Sequence, residues 1–579
     1  MKEFPPFRLD DEGQCLWRGQ ERVTVTPKAF SILCYMVERA GRLVTQNELL
    51  EALWPDTFVQ PEVLKSHILS LRIALGDDAR HPTFIETHQR RGYRFIATVQ
   101  NRLGRESGRG SGAEQTATGA DGEASIAVLP FFDMSSSKEN EYFGDGLAEE
   151  IINALTKISG LKVIARTSAF AFKGQNQDIR RIAEALGVAN VLEGSVRKEN
   201  NRVRVGAQLI AASDGRHIWS GRFDREMTDI FAMQDEISQA IVEALQAKLG
   251  RPVQRMASAR QPANPAAYQE YLEGRYYMHQ VTPAGIARAL ECYQRAIRLD
   301  SSYALPHAGM AERVFYQAIY QAERPREIVP AALASLAHAL QLDPNAADAH
   351  LARGIFSAFY EYNWKAADDH FAEALELNPE CPRVRTARSF WLLLPTGRVD
   401  EALAEARHAL RLDPLSTVAR NRECWVLHCM RRAEALDRAR ASVQLFPSHP
   451  VTCFNASLVF LGWNLYEEAV ETIERGMAAV PGSVYLLGVL SLARAGQGRH
   501  ADAKQIRSEL EEQSGRRHVP FLSRAFASEA CGDMDGALDL LDRAVDEREP
   551  LIVPLLAGRR ADLCVNTGYQ SLLRKMNLD

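Results

Sequence analysis

The sequence predicts a multidomain chain with three fold types in order: an α+β domain, an α/β domain and an all-α array of helix pairs. Three observations predict this. Residues 59–97 read as an amphipathic helix followed by an Arg-rich hairpin. From Ser125, short apolar runs of strand length alternate with segments of helical period. Beyond Asn264, one helix-ending phrase keeps returning at nearly constant spacing. At 579 residues the chain has length for three or more domains. Its net charge of −5 makes it a poor non-specific polyanion binder, so any nucleic-acid contact must be local.

The first domain rests on the helix and the hairpin after it. Stepping 100° per residue places Leu64, Ile68, Leu71 and Leu75 within about 60° of one another, a stripe that faces a core. Glu62, Lys65, Ser66, Leu69, Ser70 and Ile73 face the other way. An outward face of short polar, long basic and apolar groups suits base edges and thymine methyls. Leu69 and Ile73 are telling, because a merely solvated face has no use for them. The hairpin TFIETHQRRGYRFIA carries Arg90, Arg91 and Arg94. Gly92 and Tyr93 suit a structural role in closing and packing it, and Arg94 divides between the sheet and a ligand. Residues 1–103 hold 14 Lys+Arg against 13 Asp+Glu, so affinity must come from clustered charge. That predicts modest binding by one copy and a need for dimers or tandem sites.

Three stretches together, VTPKAFSILCYMVERAGRLVTQNELLEALWP, HILSLRIALGDD and IETHQRRGYRF, carry a family resemblance. Residues 4–98 resemble the OmpR/PhoB-type winged-helix effector domain. The resemblance implies an N-terminal antiparallel sheet over Phe7–Val25, three helices and a C-terminal wing. It implies that the helix near 61–75 reads double-stranded DNA, with Glu62, Lys65, Ser66, Leu69 and Ser70 at base edges. Arg72, Arg90, Arg91 and Arg94 would then contact phosphates or the minor groove. The turn from Trp54 through Pro55, Asp56, Thr57 and Phe58 to Gln60 would be the loop that touches RNA polymerase. The winged helix begins at the N-terminus, so aspartyl phosphorylation of a preceding domain is not the expected input.

Residues 101–124 contain six Gly and no aromatic residue, the composition of a flexible linker spanning about 25–30 Å. The α/β domain follows over 125–250. SIAVLPF, LKVIAR, ANVLEGSVRK, RVRVGAQLI and HIWSGRFD read as strands. DGLAEEIINALTKI, DIRRIAEALG and Ile230–Leu249 read as helices. Gly144-Asp145-Gly146 then sits before a helix, where an ordinary capped turn is favoured over an anion cradle. The pieces AVLPF, YFGDGLAEEI, GLKVIAR and ASDGRHIWSGRFDR, in that order, resemble the TolB-like (FlgO-like) domain of bacterial regulators. That resemblance implies no catalytic residues.

The array over 264–557 announces itself by period. AIRLDS, ALQLDP, ALELNP, ALRLDP, SVQLFP and MAAVP end successive helices, with prolines at 344, 379, 414, 447 and 481. Proline stops each helix because it cannot donate the next hydrogen bond. Ser301 stands 43 residues before Pro344, which predicts an insertion near YQAERPREIVP. Small residues such as Ala402, Ala406 and Ala409, or Ala366, Ala367, Ala372 and Ala374, suit close helix crossings. These features resemble tetratricopeptide repeats, with about eight helix pairs and a cap over 558–579. The resemblance implies a superhelix whose concave face takes a protein or peptide. Tyr276, Tyr277, Trp391, Trp425 and Trp463 are aromatic candidates there, although packing is the commoner role.

No cofactor, metal or catalytic constellation is legible. The histidines are dispersed, and His67 falls on the core side of its helix. Nine cysteines show no C-x-x-C pair, which fits reduced thiols. No H-E-x-x-H, phosphate-binding loop or G-x-S-x-G occurs. The opening MKEFPPFRLDDEG has no apolar leader region, and the strongest apolar run, FWLLLP, is far too short for a membrane span. The expectation is a cytoplasmic, non-enzymatic transcription regulator without a membrane anchor. The competing expectation is a repeat scaffold whose winged helix makes protein contacts only.

Overall fold

The computed structural model describes residues 2–10, 15–18, 21–23, 27–46, 48, 49, 68, 71, 72, 75–77, 82–88, 91–97, 99–101, 124–135, 141–158, 160–175, 177–199, 202–249, 263–280, 282–320, 323–557 and 567–578. The chain divides into two compact units, Met1–Gly119 and Ala120–Asp579.

The first unit is built on two small antiparallel sheets. Strands Glu21–Val23, Cys15–Arg18, Phe7–Asp10 and Lys2–Phe4 pair in that order, and Gln100–Asn101 closes the far edge. A second sheet orders Leu43–Thr45, Gly92–Phe95 and Ile85–His88. Helix Pro27–Glu38 buries Ala29, Phe30, Leu33, Met36 and Val37 in the same core as Phe4, Phe7, Phe84 and Phe95. The three described members of the apolar stripe, Ile68, Leu71 and Leu75, are all buried in that core. Leu64 and His67 lie outside the described residues.

The second unit begins with a mixed sheet. Ser125–Val128 runs parallel to both Lys162–Val163 and Asn190–Glu199. Arg202–Ala211 and His217–Glu226 extend it in antiparallel fashion. Helix Glu141–Leu155 crosses over between the first two parallel strands. It starts earlier than the sequence suggests, so Gly144 and Gly146 sit inside it. A Cβ on Gly144 would lie 2.7 Å from the Phe131 carbonyl, and one on Gly146 would lie 2.8 Å from Leu272. These glycines permit close packing and cap nothing.

Eight helix pairs follow among the described residues, from Pro265–Met278 with Pro283–Leu299 to Phe521–Ala530 with Met534–Asp546. Ala402, Ala406 and Ala409 are fully buried where helices cross, as are Ala367 and Ala374. Ala372 points outward instead, because the buried row runs 367, 371, 374 at helical spacing. The 43-residue spacing is absorbed by longer helices, not by a loop: Ala304–Tyr320 has 17 residues and Pro325–Leu342 has 18. The next pair has 13 and 14. Two short helices, Ile552–Ala557 and Thr567–Lys575, then fold back on the array. Trp425 Nε1 donates to the Pro554 carbonyl at 3.2 Å, and Trp364 Nε1 donates to the Met576 carbonyl at 2.8 Å.

The α/β layer and the array share one core. Ile126, Phe143, Leu147 and Ile237 belong to the same buried cluster as Tyr268, Tyr271, Leu272 and Tyr293.

Two predictions follow from this packing. A Cβ at Gly92 would lie 2.0 Å from the Val44 carbonyl oxygen, so Gly92→Ala must push two strands apart. Urea unfolding of the first unit should show a loss of about 1–3 kcal/mol. Buried Glu549 accepts backbone N–H bonds from Phe521 and Leu522, and burial raises its carboxyl from 4.5 to about 7. The folded state therefore holds a proton that the unfolded state has released between those values. Stability should fall as pH climbs from 4.5 to 7, and E549Q should flatten that part of the profile, read by urea midpoints.

Candidate functional site

The geometry of the first unit ties the end of the apolar-striped helix to the hairpin. Asp77 lies just past that helix with its side chain fully buried. Its carboxylate accepts from Thr83 N at 2.6 Å, Phe84 N at 3.0 Å and Ile85 N at 2.9 Å. Arg72 reaches across from the helix. Its Nη2 donates to the Ile85 carbonyl at 2.7 Å and to Thr87 Oγ1 at 2.8 Å, with Asp77 within 3.8 Å of its Nε. The guanidinium is thus spent on bracing the strand Ile85–His88 against the helix. Sequence reasoning missed Asp77. Its signal was the Gly76-Asp77 pair after the helix, a helix-stop followed by a side chain able to cap turns.

The hairpin positions the other arginines differently. Glu86 and Arg94 stand directly opposite across the strands, and Arg94 Nη1 lies 3.5 Å from Glu86 Oε2. His88 Nε2 shares the same carboxylate at 2.9 Å. Arg91 occupies the turn itself, its backbone N–H donating to the His88 carbonyl at 3.0 Å while its side chain is exposed. Tyr93 is buried between the strands, which pushes its hydroxyl pKa up. Arg90, the outward residues Glu62, Lys65, Ser66, Leu69 and Ser70, and the loop from Trp54 to Phe58 lie outside the described residues.

In the second unit, ion pairs join the α/β layer to the array. Buried Glu149 pairs with Arg275 and lies 3.3 Å from Arg166 Nε. Arg275 also reaches Asp348 at 3.3 Å, and Arg383 lies between Asp348 and Glu312. Burial alone would raise the Glu149 pKa, but Arg275 and His279 hold it well below the usual carboxylate range. A second contact lies at the fourth helix pair. Ser168 Oγ donates to Asp413 Oδ1 and accepts from Leu415 N at 2.8 Å. Of the aromatic candidates, Trp391 and Trp425 line the chamber of the array, whereas Tyr276 and Tyr277 meet edge-to-face outside it. Trp463 packs at the edge of the array's core.

Residues 19–95 match the family model described as transcriptional regulatory protein, C terminal. The N-terminal unit is an OmpR/PhoB-type winged helix. Downstream of this winged helix, residues 122–241 match the HilA/YgeH-like transcriptional regulator, second domain. The transcriptional regulator HilA of Salmonella typhi is 23% identical over 432 residues, 73% of each chain. A putative adenylate cyclase 3 of Rhizobium meliloti is 43% identical over 187 residues, 32% of this chain, and the match spans about a third (32%) of the length of that relative. Yeast Tom70 overlaps 60% of this chain with 13% identity and a TM-score of 0.36. Winged helix, HilA-like layer and helix-pair array together make up the domain content of a transcriptional regulator. No described helix is long and apolar enough to cross a membrane.

Replacing Asp77 by Ala strands three backbone donors under the wing. Thermal or urea unfolding should register a loss of at least roughly 2 kcal/mol, and R72A a smaller one.

Proposed function

We propose that this chain is a cytoplasmic, non-enzymatic transcription regulator whose winged helix binds promoter DNA and whose array receives the signal. The observation that carries this reading is the exposed Arg91 at the tip of a hairpin braced through Arg72 and Asp77 onto a buried helix. Such bracing gives the wing a fixed position from which a guanidinium can meet a phosphate. Arg90 and Arg91 contact the backbone or minor groove, and Glu62, Lys65, Ser66, Leu69 and Ser70 read bases. Arg94 adds a second-rank contact, since Glu86 already shares its charge. Arg72 acts by holding the wing. The loop from Trp54 to Phe58 meets RNA polymerase.

The array takes a protein or peptide partner, and the TolB-like character of the α/β layer belongs to this same reading. Partner binding changes how winged helices pair on tandem sites, which raises apparent affinity through effective concentration. The near balance of charge in residues 1–103 supports that mechanism, because one copy alone has little excess positive charge.

Fluorescence anisotropy of the full chain on fragments of its own promoter region, titrated with salt, tests the reading. Replacing Arg90 and Arg91 by Ala should weaken binding and flatten the salt slope by roughly one unit per lost phosphate contact. Unchanged binding would return the chain to the scaffold reading, with the winged helix as a protein-contact module.

A further inference from the structure

The array's concave side is partly closed by its own C-terminal segment. Leu551, Pro554 and Leu555 from the returning C-terminal segment form part of its wall, and a chamber of about 650 Å³ remains. Small-molecule sites fall in the range of roughly 300–1,000 Å³. The walls are mostly aromatic and aliphatic, with Phe315, Phe356, Phe390, Trp391, Trp425 and Phe454 among them.

Two of these rings are aimed by an unusual stretch of backbone. The helix that begins at Pro382 widens into a π-helix over Arg388–Leu393, in which Leu394 N bonds to the Ser389 carbonyl five residues back. Such wide turns are rare, pack less well than an α-helix, and recur at functional sites. Here the wide turn carries Phe390 and Trp391 to the chamber wall.

Polar side chains interrupt this wall, and four of them bear on what it could hold. Trp391 is 2% exposed, yet its indole N–H has no hydrogen-bond partner among the described residues. Tyr271, 3% exposed, likewise has no partner for its hydroxyl. Asn421 and Asn455 spend their amide nitrogens on Thr452 Oγ1 and the Val451 carbonyl, which leaves their carbonyl oxygens available. All four residues line the chamber. The charged residues there are already matched within the protein: Arg275 and Arg383 with Asp348 and Glu312, and Asp413 with Ser168. Arg422 stacks on Phe390, its guanidinium carbon 3.2 Å from the ring centroid. An ionic ligand would have to break these pairs.

We infer that the chamber is a binding site for a neutral, flat, largely apolar small molecule. Its hydrogen-bond acceptor meets Trp391 Nε1–H, and its donor meets the Asn421 or Asn455 carbonyl. This goes beyond the reading of the array as the receiver of a protein or peptide, adding a small-molecule input to the same part, and its test does not depend on DNA.

The probe is Nile red, a neutral planar dye with one carbonyl acceptor, titrated into the full chain. The expected result is a single saturable site with blue-shifted emission and quenching of tryptophan fluorescence. Ala352 is buried on the chamber wall, so A352F should fill the space and weaken binding by more than about ten-fold. W391F keeps an aromatic ring while removing the five-membered half of the indole with its N–H, and should weaken binding by roughly two- to ten-fold while leaving circular dichroism unchanged. If A352F fails to fold, W391F alone decides. Non-saturable binding, or binding that W391F leaves unchanged, would overturn the inference. DNA titrations on the same preparations separate that failure from a failure of the regulator reading.

Discussion

The pairing of Glu149 with Arg275 is the constraint on which the second unit depends. Removing two charges from water costs more than a simple pair returns, so such a pair persists only when further partners complete it. Here Arg166 and His279 complete Glu149, and Asp348 completes Arg275. Through those links a crossover helix of the sheet is bound to the first helix pair, and the first pair to the third. Losing either member would leave an uncompensated charge in a core that also holds Tyr268, Tyr271 and Leu272. The hydrophobic core supplies most of the energy; the ion pairs make its arrangement specific.

The first unit solves a similar problem without a charge chain. Its core is small, and four Phe rings fill much of it, with Phe4 and Phe95 centred 5.0 Å apart and edge-on. What fixes the wing is a single carboxylate that gathers three consecutive backbone donors. Asp77 thereby converts a loop after a helix into a rigid mount. The arginine beside it, Arg72, is bonded into the mount, whereas Arg91 stays exposed in the turn.

Much of this was legible in the residues themselves. The apolar stripe of the helix, the alternation of strands and helices after Ser125, and the recurring helix-ending phrase all follow from local periodicity. The features that escaped are those with no periodic trace. Tyr268 and Tyr271 look like ordinary inward residues of an isolated helix pair, and only the fold makes them part of the sheet's core. Gly144 and Gly146 read as a turn, because a glycine needed for close packing resembles one needed for conformation. The π-helix at Arg388–Leu393 is invisible, since one extra residue in each hydrogen-bonded turn leaves composition untouched. The return of the last helices onto Trp364 and Trp425 depends on contacts more than a hundred residues apart. No local reading can find those.

The shared core also bears on how such a chain can be assembled and rearranged in evolution. A module that can be transplanted must carry its own buried surface with it. The sheet of the second unit does not: cut after the helix Ile230–Leu249, it would bare the faces of its covering helices on which Leu272, beside Gly146, and Tyr268, beside Phe231 and Gln234, pack. The smallest heritable cassette is therefore the sheet together with at least the first helix pair. Recombination that joins this unit to a different N-terminal domain should break the gene before Ala124 and leave the stretch from there to Tyr303 intact.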